Sequence, residues 1–83
     1  MPYIKSADRV KFDRILKECP VIATKGELEY VVYSLMVKYM QDKEFRYSTL
    51  HDCVYAVQHC SDEYRRRSLD VREDAARIEN GDI

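Results

Sequence analysis

Apolar residues recur along this chain at the three- and four-residue spacing that marks one face of a helix. The first such segment follows Ser6, which can cap a helix N-terminus with its hydroxyl. Its apolar face is formed by Phe12, Ile15, Leu16 and Cys19, at positions i, i+3, i+4 and i+7. Because proline cannot continue a helix, we predict that this helix ends before Pro20.

A second amphipathic segment opens with Thr24 and Glu27, the T-x-x-E pattern of a capping box. Its main apolar stripe is nearly ideal for a helix facing a core. The stripe consists of Leu28, Val31, Val32, Leu35, Met36, Tyr39 and Met40. A second row, on another side of the same helix, is formed by Tyr30, Tyr33 and Val37. Two apolar faces on one helix require two neighbours.

A third segment has Ser48 as its expected cap and continues further than the other two. Its core face is predicted to hold Leu50, Cys53, Val54, Val57, Ser61 and Tyr64. Beyond Ser68 the chain becomes polar, but Val71, Ala75 and Ile78 keep helical spacing, and Asn80-Gly81 is a suitable stop. We therefore expect a short terminal helix after a kink near Leu69.

Period-two alternation is never sustained, and no hairpin dipeptide separates two apolar runs. The pattern predicts an all-α fold, a single helical domain over residues 1–83 with three main helices and a short C-terminal one. A chain of 83 residues buries a small share of its surface, so self-association into a homo-oligomer, a dimer or a tetramer, is expected to matter.

Composition narrows the classes of function. Hydrophobic residues make up 46% of the chain, which excludes a disordered polypeptide. Charged residues make up 35% and nearly cancel to a net charge of -1, so nucleic-acid binding through bulk electrostatic attraction is not expected. The apolar runs are too short for a membrane span and the start lacks a signal-peptide core. We therefore expect no membrane partner and a cytoplasmic protein.

The three cysteines, Cys19, Cys53 and Cys60, form no CxxC pair and fit buried thiols in a reducing compartment. Together with His51 and His59 they suggest a zinc site only weakly, because on one helix these side chains diverge and a structural site needs four convergent ligands. We predict no metal, no cofactor and no catalytic residues, since no nucleophile has a base beside it. The protein is not expected to be an enzyme.

The tyrosine row of the second helix has two interpretations. The tyrosines can lie on the surface, or be covered within the domain, with their hydroxyl groups hydrated. Alternatively Tyr30, Tyr33 and Val37 form an oligomer interface, because tyrosine combines an apolar body with a polar tip.

The segment DEYRRRS, residues 62–68, places three arginines in a row near the end of the third helix. Successive helical residues turn by about 100°, so the three side chains point in different directions. Arg65 falls on the same flank as His51, Tyr55, Gln58 and Asp62, a row that can stack on a base and hydrogen-bond a phosphate. The alternative is a solvated face on which Arg65 and Arg66 pair with Asp62 or Asp70.

Four short motifs in order carry a resemblance over nearly the whole chain. They are MPYI at the start, GELEY at residues 26–30, EYRR at residues 63–66 and ENGDI at residues 79–83. The chain resembles a family of small uncharacterised bacterial and phage proteins that open with MPYI and close with ENGDV or ENGDI. SLDVRED takes the place of a more usual proline-containing stretch. More loosely, it is similar to the phage sponges that sequester cyclic nucleotides of anti-phage defence (anti-CBASS).

The resemblance implies a compact helical protein of phage or bacterial origin. Our leading hypothesis is a phage-encoded protein in the host bacterial cytoplasm that sequesters a cyclic dinucleotide immune signal without cleaving it. The expected ligand-binding residues are Arg65, Arg66, Tyr55, Gln58, Tyr64 and Tyr30. The alternative is a protein-protein interaction module that docks a host or phage protein through the tyrosine-rich helix face.

Overall fold

The computed structural model describes residues 2–83 and confirms the all-α prediction. Helix α1 spans Ser6–Glu18, α2 spans Lys25–Met40, α3 spans Tyr47–Tyr64 and α4 spans Asp70–Asn80. Between α3 and α4 lies a π-helical stretch, Arg65–Leu69, which we call the π segment. In the described part of the chain there is no β-strand.

The start of α2 is fixed by the capping box that the sequence predicts. The Thr24 Oγ1 accepts a hydrogen bond from the Glu27 backbone N–H at 3.1 Å. In return, Glu27 Oε1 accepts from the backbone N–H groups of Ala23 at 2.9 Å and Thr24 at 3.1 Å. Three backbone donors that would otherwise lack a helical partner are thereby satisfied.

We expect Thr24→Ala to lower the free energy of unfolding by about 1 kcal/mol, because the Glu27 N–H loses its acceptor at the helix start. Chemical denaturation followed by circular dichroism would measure the loss. Ser48→Ala is the matched control, since it removes an exposed hydroxyl from the first turn of α3 and should change stability by less than about 0.5 kcal/mol. Equal stability of the two variants would contradict the assigned role of the box.

The predicted caps of the other two helices are wrong by one or two residues. In α1 the cap position is Lys5, and Ser6 is the first helical residue. In α3 the cap position is Arg46, whose backbone N–H donates to Thr49 Oγ1 at 3.1 Å. Thr49 closes the first turn from inside the helix, so Ser48 is not needed as a cap.

Helix α3, the π segment and α4 run without a break. From Tyr47 to Asn80 this helix is about 50 Å long, given a rise near 1.5 Å per residue. It therefore accounts for the longest dimension of the molecule, which measures 50 × 33 × 29 Å. The chain remains helical at the predicted kink near Leu69. The predicted stop is confirmed, because α4 ends at Asn80 and Gly81 adopts a φ of 88°.

Packing is confined largely to the contact between α2 and α3. Cys53, 6% exposed, is the one buried residue among residues 2–83, and its thiol lies 3.7 Å from the Met36 carbonyl oxygen. Most side chains of the predicted core stripes remain half-buried or exposed, including Leu35 at 59% and Leu16 at 68%. The stripes are correct as helix faces, but within residues 2–83 the contact of α2 with α3 covers them only in part.

The single chain is consequently far from compact. Its radius of gyration is 16.5 Å, whereas a compact domain of this length has about 12 Å. Its accessible surface is 7981 Å², against roughly 5,200 Å² for a compact monomer of the same mass. No helix within residues 2–83 is both long and apolar enough to cross a membrane.

Candidate functional site

The N-terminal segment is fastened to the end of α3 by a polar cluster that we call the clasp. The Tyr3 hydroxyl donates a hydrogen bond to Glu63 Oε1 at 2.6 Å. The same carboxylate accepts from Arg66 Nη2 at 2.5 Å, and Arg67 Nε lies 3.8 Å from it. Glu63 is the centre of the clasp, with its side chain only 14% exposed.

The members of the clasp shift one another's pKa values. The hydrogen bond from Arg66, followed by that from Tyr3, lowers the pKa of the Glu63 carboxyl below its ordinary value. The hydrogen bond to Glu63, followed by burial, raises the pKa of the Tyr3 phenol. Glu63 also raises the pKa of Arg66. Near neutral pH the clasp therefore contains a carboxylate, a protonated phenol and charged guanidinium groups.

The ion pairs of the arginines differ in part from those predicted from the sequence. Arg65 does pair with Asp70, at 3.3 Å between Nε and Oδ1. Arg66 pairs with Glu63, three residues before it, instead of with Asp62 or Asp70. Arg67, four residues after Glu63, also pairs with it, so two of the three arginines converge on one partner.

Beside the clasp lies an open groove of about 490 Å³, which we call the clasp groove. Three aromatic rings line it, from Tyr3, Phe12 and Tyr64. Two arginines, Arg9 and Arg67, also line it. The remaining lining residues are Pro2, Ile4, Asp13, Leu16, Cys60 and Glu63. The groove thus lies between the N-terminal segment, α1 and the junction of α3 with the π segment.

Two contacts determine the orientation of the arginines in the clasp groove. Arg9 Nε donates to the Ile4 carbonyl oxygen at 2.8 Å, which holds the N-terminal segment against α1. The Arg67 guanidinium carbon lies 5.9 Å from the centre of the Tyr3 ring, within the range of a cation–π contact. Arg67 is thus positioned by the Tyr3 ring and by the Glu63 carboxylate at 3.8 Å, and its side chain is 63% exposed.

The six residues that the sequence suggested as a ligand site do not converge. Tyr64 lines the clasp groove, whereas Arg65 and Arg66 lie outside its lining. The Tyr55 ring meets His51 edge-on at 5.4 Å, and Gln58 donates to Asp62 at 3.1 Å. Tyr30 lies at another groove, near the connection between α1 and α2.

Sequence reasoning missed Tyr3, Arg9, Phe12 and Arg67 as members of one site. The Glu63–Arg67 spacing of four residues was a readable signal for part of the clasp. Tyr3 and Glu63 are 60 positions apart, and no local pattern links them. The site arises from the return of the N-terminus to α3, which is a tertiary feature.

The predicted oligomer interface residues line two different grooves. Tyr33 and Val37 line a groove beside the contact of α2 with α3, while Tyr30 belongs to the groove named above. All three side chains are exposed in the single chain.

The cysteines and histidines do not assemble into a site. Cys19 and Cys60 are exposed, Cys53 is buried and all three are free thiols. Across residues 2–83, no group of three His, Cys, Asp or Glu residues is arranged to hold a metal ion.

A known protein family matches the chain. The sequence model of a family described as a domain of unknown function, DUF6899, matches residues 1–83. Neither a curated protein nor a solved structure shows significant similarity to the chain.

Proposed function

We propose, from the premise that this chain belongs to the DUF6899 family of unknown function, that it binds a small phosphorylated ligand in the clasp groove. The observation that carries the proposal is the combination of three aromatic rings with two guanidinium groups in one groove. The most concrete candidate is a cyclic dinucleotide. The role would be sequestration of an immune signal, without cleavage, by a phage-encoded protein in the bacterial cytoplasm.

The chemistry of the groove suits a nucleotide. Aromatic side chains stack on bases of any sequence, and guanidinium groups bind phosphate oxygens with two parallel hydrogen bonds. The groove volume of about 490 Å³ lies within the ordinary range for small-molecule sites. Tyr64 and Phe12 would contact the bases, while Arg67 would contact a phosphate.

Arg67 is better suited to a phosphate contact than its two neighbours. Arg65 and Arg66 make close ion pairs with Asp70 and Glu63, at 3.3 and 2.5 Å. The Arg67 pair with Glu63 is longer, at 3.8 Å, so this guanidinium loses less when it turns to an anion. The proposal therefore transfers the main phosphate contact from Arg65 to Arg67.

Thermal-shift and calorimetric titrations with cyclic dinucleotides, cyclic trinucleotides and ADP-ribose derivatives would test the proposal. We expect one nucleotide class to raise the melting temperature, because a ligand bound by the folded state stabilises it. Arg67→Ala and Tyr64→Ala should each weaken binding at least about tenfold. The first variant loses a charge-assisted hydrogen bond to phosphate, and the second loses a stacking contact with a base. Arg72→Ala is the control, since Arg72 is an exposed arginine of α4 outside the groove lining.

Two results would refute the proposal. One is the absence of any nucleotide-dependent shift for the intact chain. The other is equal binding by Arg67→Ala, Tyr64→Ala and the parent protein, which would place the ligand elsewhere.

A second candidate function is favoured by the exposure of the tyrosine row. Tyr30 is 74% exposed and Tyr33 is 69% exposed, on a helix whose other side already contacts α3. Rings at such positions are suited to a protein interface, where they combine apolar area with a hydrogen-bonding tip. Under this alternative, the row docks a host or phage protein, and Tyr30→Ala with Tyr33→Ala would abolish its capture without affecting nucleotide binding.

A further inference from the structure

Another groove on the molecule is almost purely apolar, and we call it the seam groove because it follows the contact of α2 with α3. Its volume is about 280 Å³. It is lined by Val32, Leu35, Met36, Tyr39, Cys53, Ala56, Val57 and Cys60. None of these residues is charged. Four of them belong to the predicted core stripe of α2, and two, Cys53 and Val57, belong to that of α3. The surface is core-like in composition but lies open to water.

The exposed area is too large for a stable monomer. The chain exposes roughly 2,800 Å² more than a compact protein of its mass. A standard dimer interface removes about 800 Å² from each partner, and obligate interfaces remove more. With one buried residue in the described part of the chain, the fold has little internal hydrophobic stabilisation. The missing burial is therefore of the size that an obligate interface supplies.

We infer that a second copy of this chain covers the seam groove, in a dimer or a higher symmetric assembly. The chain needs the missing burial whenever it is folded, and another copy of itself is the one partner present wherever the chain is made. An apolar surface without charges also meets a copy of itself without like-charge repulsion, which suits an interface between identical subunits. This inference is independent of the ligand proposed for the clasp groove.

The seam groove fits this role better than the tyrosine row does. The row is divided between two grooves, because Tyr30 lines one and Tyr33 lines another. Tyrosine hydroxyl groups remain hydrated at a surface, whereas the side chains of Leu35 and Val32 have no polar atom to hydrate. The predicted oligomer contact is thereby relocated to the adjacent face of α2.

Sedimentation velocity and light scattering of the full chain, over about a hundredfold range of concentration, would test the inference. We expect a mass that is a multiple of 9.9 kDa and a melting temperature that rises with concentration. Leu35→Asp should reduce the mass to 9.9 kDa, with a large loss of helix content. Since Leu35 is 59% exposed in a single chain, an aspartate there would cost an isolated monomer little.

A milder variant keeps the test valid if Leu35→Asp does not fold. Leu35→Ala keeps helix propensity and should weaken association by about tenfold or more, as loss of a central apolar contact does. Tyr30→Asp is the control on the same helix and should keep the parent mass. A 9.9 kDa species at every concentration would overturn the inference, and so would dissociation by Tyr30→Asp with no effect of either Leu35 variant.

Discussion

Cys53→Asp is expected to lower the free energy of unfolding by on the order of 3 kcal/mol or more, because it places an unpaired charge at a buried position. A domain of this length has roughly 4–12 kcal/mol in total. Cys53 is the point at which α3 meets the backbone of α2, through Met36. The substitution should therefore separate the two helices and remove most of the helical signal at moderate temperature.

Guanidinium denaturation at a fixed protein concentration, followed by circular dichroism, would measure this loss. His59→Asp introduces the same charge on the same helix at an exposed position outside the groove linings, and it should change stability by less than about 0.5 kcal/mol. Cys53→Ser retains the size and the donor and should cost about 1 kcal/mol. If Cys53→Asp and His59→Asp had the same midpoint, residue 53 would have to be in contact with water.

Glu63→Gln is expected to lower the pKa of the Tyr3 phenol markedly, because the variant removes the carboxylate that keeps this phenol protonated. The positive charges of Arg67 and Arg66 remain and favour the phenolate. Titration of protein labelled at the tyrosine Cζ would follow the change by NMR, with Tyr3→Phe to assign the signal. Asp62→Asn is the control, since Asp62 accepts from Gln58 and lies outside the clasp. An unchanged Tyr3 pKa in Glu63→Gln would show that the clasp does not form.

The same shifts define a pH window for the clasp. The pKa of Glu63 is lowered in the folded state, so its stabilisation is present above its ordinary value of 4.5 and disappears as pH falls through the lowered value. The pKa of Tyr3 is raised, so its stabilisation is present below 10.0 and disappears as pH rises through the raised value. The N-terminal segment should thus stay fastened between these limits.

Local features of the fold were predictable because they depend on neighbours in sequence. The capping box at Thr24 and the stop at Gly81 each require only a few residues, and both are confirmed. The cap at Ser48 failed because the helix begins earlier, after Arg46, and Thr49 accepts the Arg46 backbone N–H from inside the first turn. Helix faces were also predictable, since periodicity fixes them.

Burial and the site were not predictable, because both depend on where the helices lie in space. The periodicity of α2 shows which side chains share a face, but not whether α1 covers that face. The periodicity therefore predicts Leu35 and Leu16 as core residues, although both are exposed in the single chain. The clasp depends on a contact between Tyr3 and Glu63, across nearly the whole sequence.

The π segment has a geometric consequence for the long helix. A π-helical turn holds about one residue more than an α-helical turn, so the residues after it are turned back by up to about 100° from where an uninterrupted α-helix would place them. The apolar side chains of α4, Val71 and Ile78, are therefore out of phase with the face of α3 that contains Cys53. One continuous helix can thus present apolar side chains in two directions, with the arginines at the point where the phase changes.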